Sequence, residues 1–340
     1  MGIQAITDFS AIRPGELNQS GGDMTELFRD MLLFELLSIY HKKLVTKGMF
    51  TEKNIAYGES ATFDAMGEAD AELLASGYEM TGSAVNFAKK NILIDGLRVS
   101  HGIIHDVEQF ILHYDVRQPL ITKLARALAR QKDYINFLSI LKGSEASHVL
   151  DDSEAGSGTK IESDKLILNP SGGGAATMNE LGASVYEAIG LAYDAMNKQN
   201  VPGEDRYVAL PSEQYRSLLQ YAKNEVVSVI DKDIDGSGSI SKGVINMLLG
   251  FRIIQSNNIP HTDVSDTSKW LNHTYDASKT VGIAWQKECI ANLVRKGLGF
   301  EVGRHILSQS DIIVAREMYG SDWINPSGCV QFAGSTLSYS

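Results

Sequence analysis

The 340-residue chain carries 31 Lys plus Arg against 42 Asp plus Glu, a formal net charge of -11, with 43% hydrophobic residues. That apolar content suffices for one large or two modest cores, while the acidic balance argues against a protein whose main task is coating nucleic acid, which needs clustered Lys and Arg. Cys289 and Cys329 lie far apart without metal-ligand spacing, so both read as free thiols in a reducing compartment.

In chain order, MGIQAITDFS offers neither a basic segment nor an apolar one, so no signal peptide is expected, and Ile6 stands where myristoylation requires Ser or Thr. No apolar run is long enough to span a bilayer. After a polar opening through Gly22, GDMTELFRDMLLFELLSIYHKK carries Leu27, Met31, Leu32, Phe34, Leu36 and Leu37 behind Asp23 or Thr25 as candidate caps, which predicts a helix. The next stretch is acidic and punctuated by glycine. Its two ends, Ser60 to Phe63 and Val85 to Ile94, have strand character, which predicts a long two-stranded loop projecting from the body. Loops of that length inside compact domains are uncommon and usually functional.

From Gln118 the pattern turns helical, with Leu120, Leu124, Leu128, Ile135 and Leu138 at three- and four-residue steps or their multiples until Gly143. Lys123, Arg126, Arg130 and Lys132 put positive charge on the rest of that helix, which reads as a solvated face or a seat for an acidic partner. EASHVLDDSEAGSGTKIESDK is polar and loop-like, and NPSGGGAAT lacks the Lys-Ser/Thr of a phosphate-binding loop. A second helix follows, with Leu181, Val185, Ile189 and Met196 on one stripe. Then VPGEDRYVALPSEQYRSLL gives a turn, a strand and a short helix, and the last third mixes short strands such as VGIAW and DIIVAREMYG with turns. The pattern is α+β without regular βαβ alternation, which disfavours a doubly wound nucleotide-binding sheet.

Two stretches invite a metal. DIDGSGSISKGV, 233–244, spaces Asp233, Asp235 and Ser237 as a calcium loop would, with Gly238 at the turn, yet Val244 occupies the twelfth position, where a bidentate Glu is needed. The following VINMLLGFRIIQSNNIP reads as strand, not as an exit helix. HGIIHDVEQFILHYD gathers His101, His105, Asp106, Glu108, His113 and Asp115, but Gly102, Ile103 and Ile104 favour an extended segment that holds His101 and His105 too far apart to share an ion. No nucleophile elbow or local cysteine signature appears.

Several of these stretches together resemble one family. NILIDGLRVSHGIIHDVEQFILHYDVRQPLITKLARALA, with His113 to Arg117 at its centre, resembles the segment of major capsid proteins of short-tailed, T-seven-like bacteriophages where a projecting loop returns and a spine helix starts. QNVPGEDRYVALPSEQYRSLL is similar to the family's V-P-x-x-D-R turn, strand and P-x-x-Y helix, and GSISKGVINMLLGFRIIQSNNIP to its strand-and-turn segment. HILSQSDIIVAREMYGSDWINPSGCVQF, with Gly320, Pro326 and Gly328, resembles its closing strands. The helix from Asp23 and GESATFDAMG match as well, whereas 143–178 and 257–280 match poorly.

The resemblance implies the Hong Kong ninety-seven capsid fold: an N-terminal arm (1–57), an extension loop (58–94), a peripheral domain (95–178) with its spine helix at about 118–142, an axial domain (179–292) and C-terminal return strands (293–340). It implies a structural, non-enzymatic subunit without cofactor that assembles with itself into pentamers and hexamers around a double-stranded DNA genome. A scaffolding protein and a portal are the implied partners, with assembly in the bacterial cytoplasm and no membrane. The alternative is a calcium- or metal-binding module built on 233–241 or on the histidines of 101–113.

Overall fold

The computed structural model describes residues 17–18, 22–23, 34, 36–66, 85–105, 117–150, 156–169, 172–225, 245, 247–266, 272–305 and 308–339. Along the chain come β1 (Leu17–Asn18), β2 (Gly22–Asp23), helix α1 (36–43), β3 (Thr51–Asn54), β4 (Ser60–Met66), β5 (Phe87–Leu93), β6 (Arg98–His105) and α2 (Arg117–Glu145). They are followed by β7 (Thr159–Glu162), α3 (Met178–Lys198), β8 (Arg206–Leu210), α4 (Ser212–Glu225), β9 (Met247–Leu248), β10 (Phe251–Gln255), β11 (Asp263–Val264) and β12 (Tyr275–Asp276). The chain closes with β13 (Thr280–Gln286), β14 (Ile290–His305), β15 (Ser310–Trp323) and β16 (Cys329–Ala333). Two compact units result: 1–44, 96–131 and 296–318 form the first, and 45–95, 132–295 and 319–340 the second.

In the first unit, helical periodicity sets the packing. Leu36, Tyr40 and Leu44 recur at one-turn steps on α1 and its end, and meet Ile121, Ala125, Leu128 and Ala129, the buried stripe of α2, together with Ala315. The Tyr40 hydroxyl donates to the buried Glu317 carboxylate at 3.0 and 3.2 Å. Strand β6 pairs antiparallel with β15, Ile103 opposite Ile312 and His101 opposite Val314. Period-two alternation then turns Ile104 and Ile313 toward Leu120 and Leu124, and leaves Val99, His101, Ile103 and His105 exposed.

The second unit is built on a six-stranded sheet of order β7-β16-β13-β8-β10-β9. It is mixed: β7 with β16 and β8 with β10 are parallel, and the other neighbours run antiparallel. Both faces are covered. Leu181, Val185, Ile189 and Met196 of α3 pack with Val208, Leu210, Phe251, Ile253, Val330 and Phe332. On the other face Phe137, Leu138, Ile140 and Leu141 of α2 pack with Tyr207, Ala209, Ile283, Trp285 and Cys329. Strand β8 is accordingly buried at all five positions, as a strand between two layers must be. Trp285 is fully buried, stacked on Phe50 and Tyr207 with ring centroids 5.6 Å away in each case. Helices α3 and α4 approach so closely that a Cβ on Gly182 would lie 2.3 Å from the Ser217 carbonyl oxygen.

Several expectations are met and others corrected. The long helix, the stripe of α3, the strand at 251–255 and the extended geometry around His101 all appear. The loop-like reading of 145–165 fails at TKIE, which forms β7 and pairs parallel with β16. The last third holds long strands, because β14 has 16 residues and β15 has 14. Lys132 does not lie on a solvated face: it is buried, with its Nζ 5.2 Å from the Tyr319 ring centroid. Asp23 belongs to β2, which pairs with β1, and the start of the early helix lies outside the described residues. So do the acidic loop 233–244, the tip of the two-stranded loop at 67–84, and Asp106, Glu108, His113 and Asp115.

Candidate assembly surfaces

The two-stranded loop is an antiparallel ribbon of β4 and β5, in register from Ser60 opposite Leu93 to Met66 opposite Phe87. Among the described residues its strands pair only with each other. An isolated ribbon of two strands is marginal in water, so what fixes this one is its root. Ile92 is fully buried with Ala291 and Leu293, and Ile55, Ala61, Phe63, Ile94 and Ile324 pack around them. The Ile94 N–H donates to the Glu59 carbonyl at 2.8 Å. Gly320 admits the returning strand, since a Cβ there would lie 2.2 Å from the Leu93 carbonyl oxygen.

Charged groups complete the root. Lys90 Nζ is 3.3 Å from the Asp322 carboxylate and 3.6 Å from the centroid of the Trp323 ring, a partly buried cation beside an anion and an aromatic face. Just beyond the ribbon, the buried Asp95 carboxylate meets the His273 Nε2 at 2.7 Å, across 178 positions of sequence. Away from the root the ribbon loses its cover. Phe87 is 70% exposed, and Lys89 and Asp64 are 4.0 Å apart with both side chains open to water. Burying a side chain like Phe87 elsewhere would stabilise by about 1.5–3 kcal/mol, so this end of the ribbon carries apolar area that the chain itself does not use.

Further exposed apolar side chains cluster in the same manner. Leu97, Val99 and Ile103 lie on or beside β6 in the first unit and Met247 and Leu249 at the β9–β10 turn, while Leu191 and Tyr193 stand singly on opposite flanks of the buried stripe of α3. In that turn Leu249 has φ 50° and Gly250 φ 80°, a reversal that needs the left-handed region twice. Scattered apolar residues are ordinary, but groups on strand edges and turns mark surfaces made for other surfaces.

The remaining candidates contribute less. His101 and His105 stand exposed on β6, and among the described residues no three His, Cys, Asp or Glu side chains converge on a point. Cys289 and Cys329 are free and buried; burial pushes the Cys289 thiol up to about 12, which leaves it protonated at neutral pH. The V-P-x-x-D-R stretch turns out to be a brace. Arg206 donates to the carbonyls of Pro202 at 2.9 Å and Val201 at 2.6 Å and to Asn197 Oδ1 at 2.9 Å, fixing a turn in which Asn200 and Asp205 both have positive φ. Sequence reasoning missed Asp133, which is fully buried on α2. It accepts from the N–H groups of Val45 at 3.2 Å and Thr46 at 3.0 Å, from the Thr46 hydroxyl at 2.7 Å and from Asn258 at 3.2 Å. No local signal could have named those partners.

The comparisons agree with this geometry. The model of the Gp10A-like major capsid protein family matches residues 63–331. The major capsid protein of Escherichia phage T7 is 23% identical, with 92% of this chain and 94% of that protein covered; that of Enterobacteria phage T3 is 24% identical, with 91% of each covered. Among solved structures, the capsid of cyanophage P-SCSP1u superposes with a TM-score of 0.71 at 25% identity, covering 86% of this chain and 89% of that one. The mature capsid of bacteriophage PhiM1 gives 0.68 at 15% identity over 86% and 87%. The fold is thus the Hong Kong ninety-seven capsid fold of α+β class, and the chain belongs to the Gp10A-like family of major capsid proteins.

Proposed function

We propose that this protein is the shell subunit of a short-tailed phage head, assembling with itself into pentamers and hexamers that enclose a double-stranded DNA genome. The observation that carries the reading is the ribbon: a rooted, ordered pair of strands whose outer part carries Phe87 uncovered. Lying across a neighbouring copy would bury that area and satisfy the strand edges. The function is structural and calls for no catalytic group. Scaffolding protein and portal are the partners of assembly, in the cytoplasm of the bacterial host.

In this reading the ribbon is the extension loop, and the six-stranded sheet with α3 and α4 is the axial domain. That domain takes in β7 and β16, which lie outside the expected 179–292. The first half of α2 with β6 and the 296–318 segment forms the peripheral domain. Electron microscopy of the purified chain, alone and with its scaffolding partner, tests this: closed shells or ring-shaped capsomers are expected. A stable monomer under both conditions would refute it. The metal-binding alternative finds no support in the geometry of the described residues.

A further inference from the structure

The two units differ in charge. From the sequence, the first holds 12 basic and 12 acidic residues, whereas the second holds 19 and 30, so the second accounts for the whole surplus of -11. Within the first unit the charges are also sorted. Residues 117–131 of α2 and 36–43 of α1 contain no Asp or Glu. The acidic groups of the described strands there are occupied: Glu301 pairs with Arg316, Asp311 with Arg304 at 3.1 Å, and Glu317 is buried against Tyr40.

Lys123, Arg126 and Arg130 are all exposed, and at 100° per residue they fall with Pro119 and Ala127 on one stripe opposite the buried Ile121, Ala125 and Leu128. None of the three cations makes an ion pair among the described residues. Lys42 and Lys43 stand exposed on the helix packed beside them. Rises of about 1.5 Å per residue spread the three α2 cations over about 10 Å, the length over which one DNA strand presents roughly three phosphates.

We propose that this stripe is a sequence-independent seat for the phosphate backbone of duplex DNA, an inference that rests on reading the chain as the subunit of a shell around such a genome. The side chains between the cations decide against an acidic protein partner. Protein interfaces are anchored by buried aromatic or large aliphatic groups, and the stripe offers only Pro119 and Ala127. With no aromatic for stacking and no amide to read base edges, charge is the whole of the recognition.

The test is a fluorescence-anisotropy titration of a mixed-sequence duplex with the full-length protein between 50 and 200 mM salt. Three phosphate contacts give a log–log slope of about -2.7, which weakens binding about 40-fold over that range. In Lys123→Gln/Arg126→Gln/Arg130→Gln the slope should shrink by about that amount and affinity at 50 mM salt should fall at least about tenfold. Lys47→Gln/Lys53→Gln/Lys198→Gln removes equal charge from exposed sites of the second unit and should leave the slope in place. Equal effects of the two variants, or no effect of the first, would overturn the proposal. So would polyglutamate displacing the duplex at lower charge concentration than competitor DNA. Microscopy of the same samples separates the two ideas: shells from the first variant with lost DNA affinity support both, whereas absence of shells from the parent chain counts against the shell reading alone.

Discussion

The six-stranded sheet and the two-stranded ribbon belong to the same unit and are made of similar strands, yet only the sheet is covered. In β8 and β13 every residue is buried, between the α3–α4 layer and the end of α2. In β5 only Ile92 is buried. Apolar area closed within the chain holds the subunit together; apolar area held open on a rooted scaffold is available to another copy. The contrast predicts that substitutions in the sheet move stability, and that those in the outer ribbon move association.

The largest effect should come from Trp285→Ala. It empties a fully buried site stacked between Phe50 and Tyr207, and loss of such a side chain costs about 3–5 kcal/mol. Chemical denaturation should show a midpoint shift of that size or failure to fold; a change below about 1 kcal/mol would break the assignment of this face as core.

The next effects are electrostatic, and their signs are opposite. Burial pushes the Asp133 carboxyl up from its ordinary 3.8, outweighing its hydrogen bonds from Thr46, Val45 and Asn258. A raised folded value means that its favourable contribution is present below about 3.8 and is lost as pH rises through that higher value. The stability of the parent relative to Asp133→Asn should therefore fall over that window and then level, as read by denaturation at a series of pH values. A difference that rises with pH would contradict the burial argument.

Asp164 behaves the other way. The N–H of Leu337, the hydroxyl of Thr336 and the N–H of Thr336 hold its carboxyl down at about 2, docking the chain end beside the sheet. This contribution is present above 3.8 and lost as pH falls toward 2. Asp164→Asn should match the parent near pH 2 and be the less stable protein near pH 7. Proteolysis of the 336–339 segment at neutral pH, faster in the variant, is the direct readout.

What the sequence made legible follows from the range of the forces involved. Helix α2 was readable because Leu120, Leu124 and Leu128 repeat at the helical period, and the ribbon because its ends alternate. Strand β14 was not, since Arg295, Lys296 and Glu301 with Gly297, Gly299 and Gly303 interrupt any apolar alternation; pairing with β3 and packing of Leu298, Phe300 and Val302 override that local pattern. The six polar residues of TKIESDK hid β7, whose parallel partner lies 171 positions away at Val330. The root of the ribbon was equally hidden. Lys90 with Trp323 and Asp95 with His273 are pairs that only the folded chain brings together.

The most direct test of the central claim takes the exposed ribbon positions alone. Phe87→Asp/Leu93→Asp changes side chains that are 70% and 50% exposed and leaves the buried Ile92 between them. Thermal unfolding and negative-stain microscopy on one preparation should give a Tm within a few degrees of the parent, since surface substitutions usually stay within about 0.5 kcal/mol, together with loss of closed shells when the scaffolding partner is supplied. Normal shells from this variant would contradict the account, and so would collapse of the isolated subunit, which would make the ribbon part of the core.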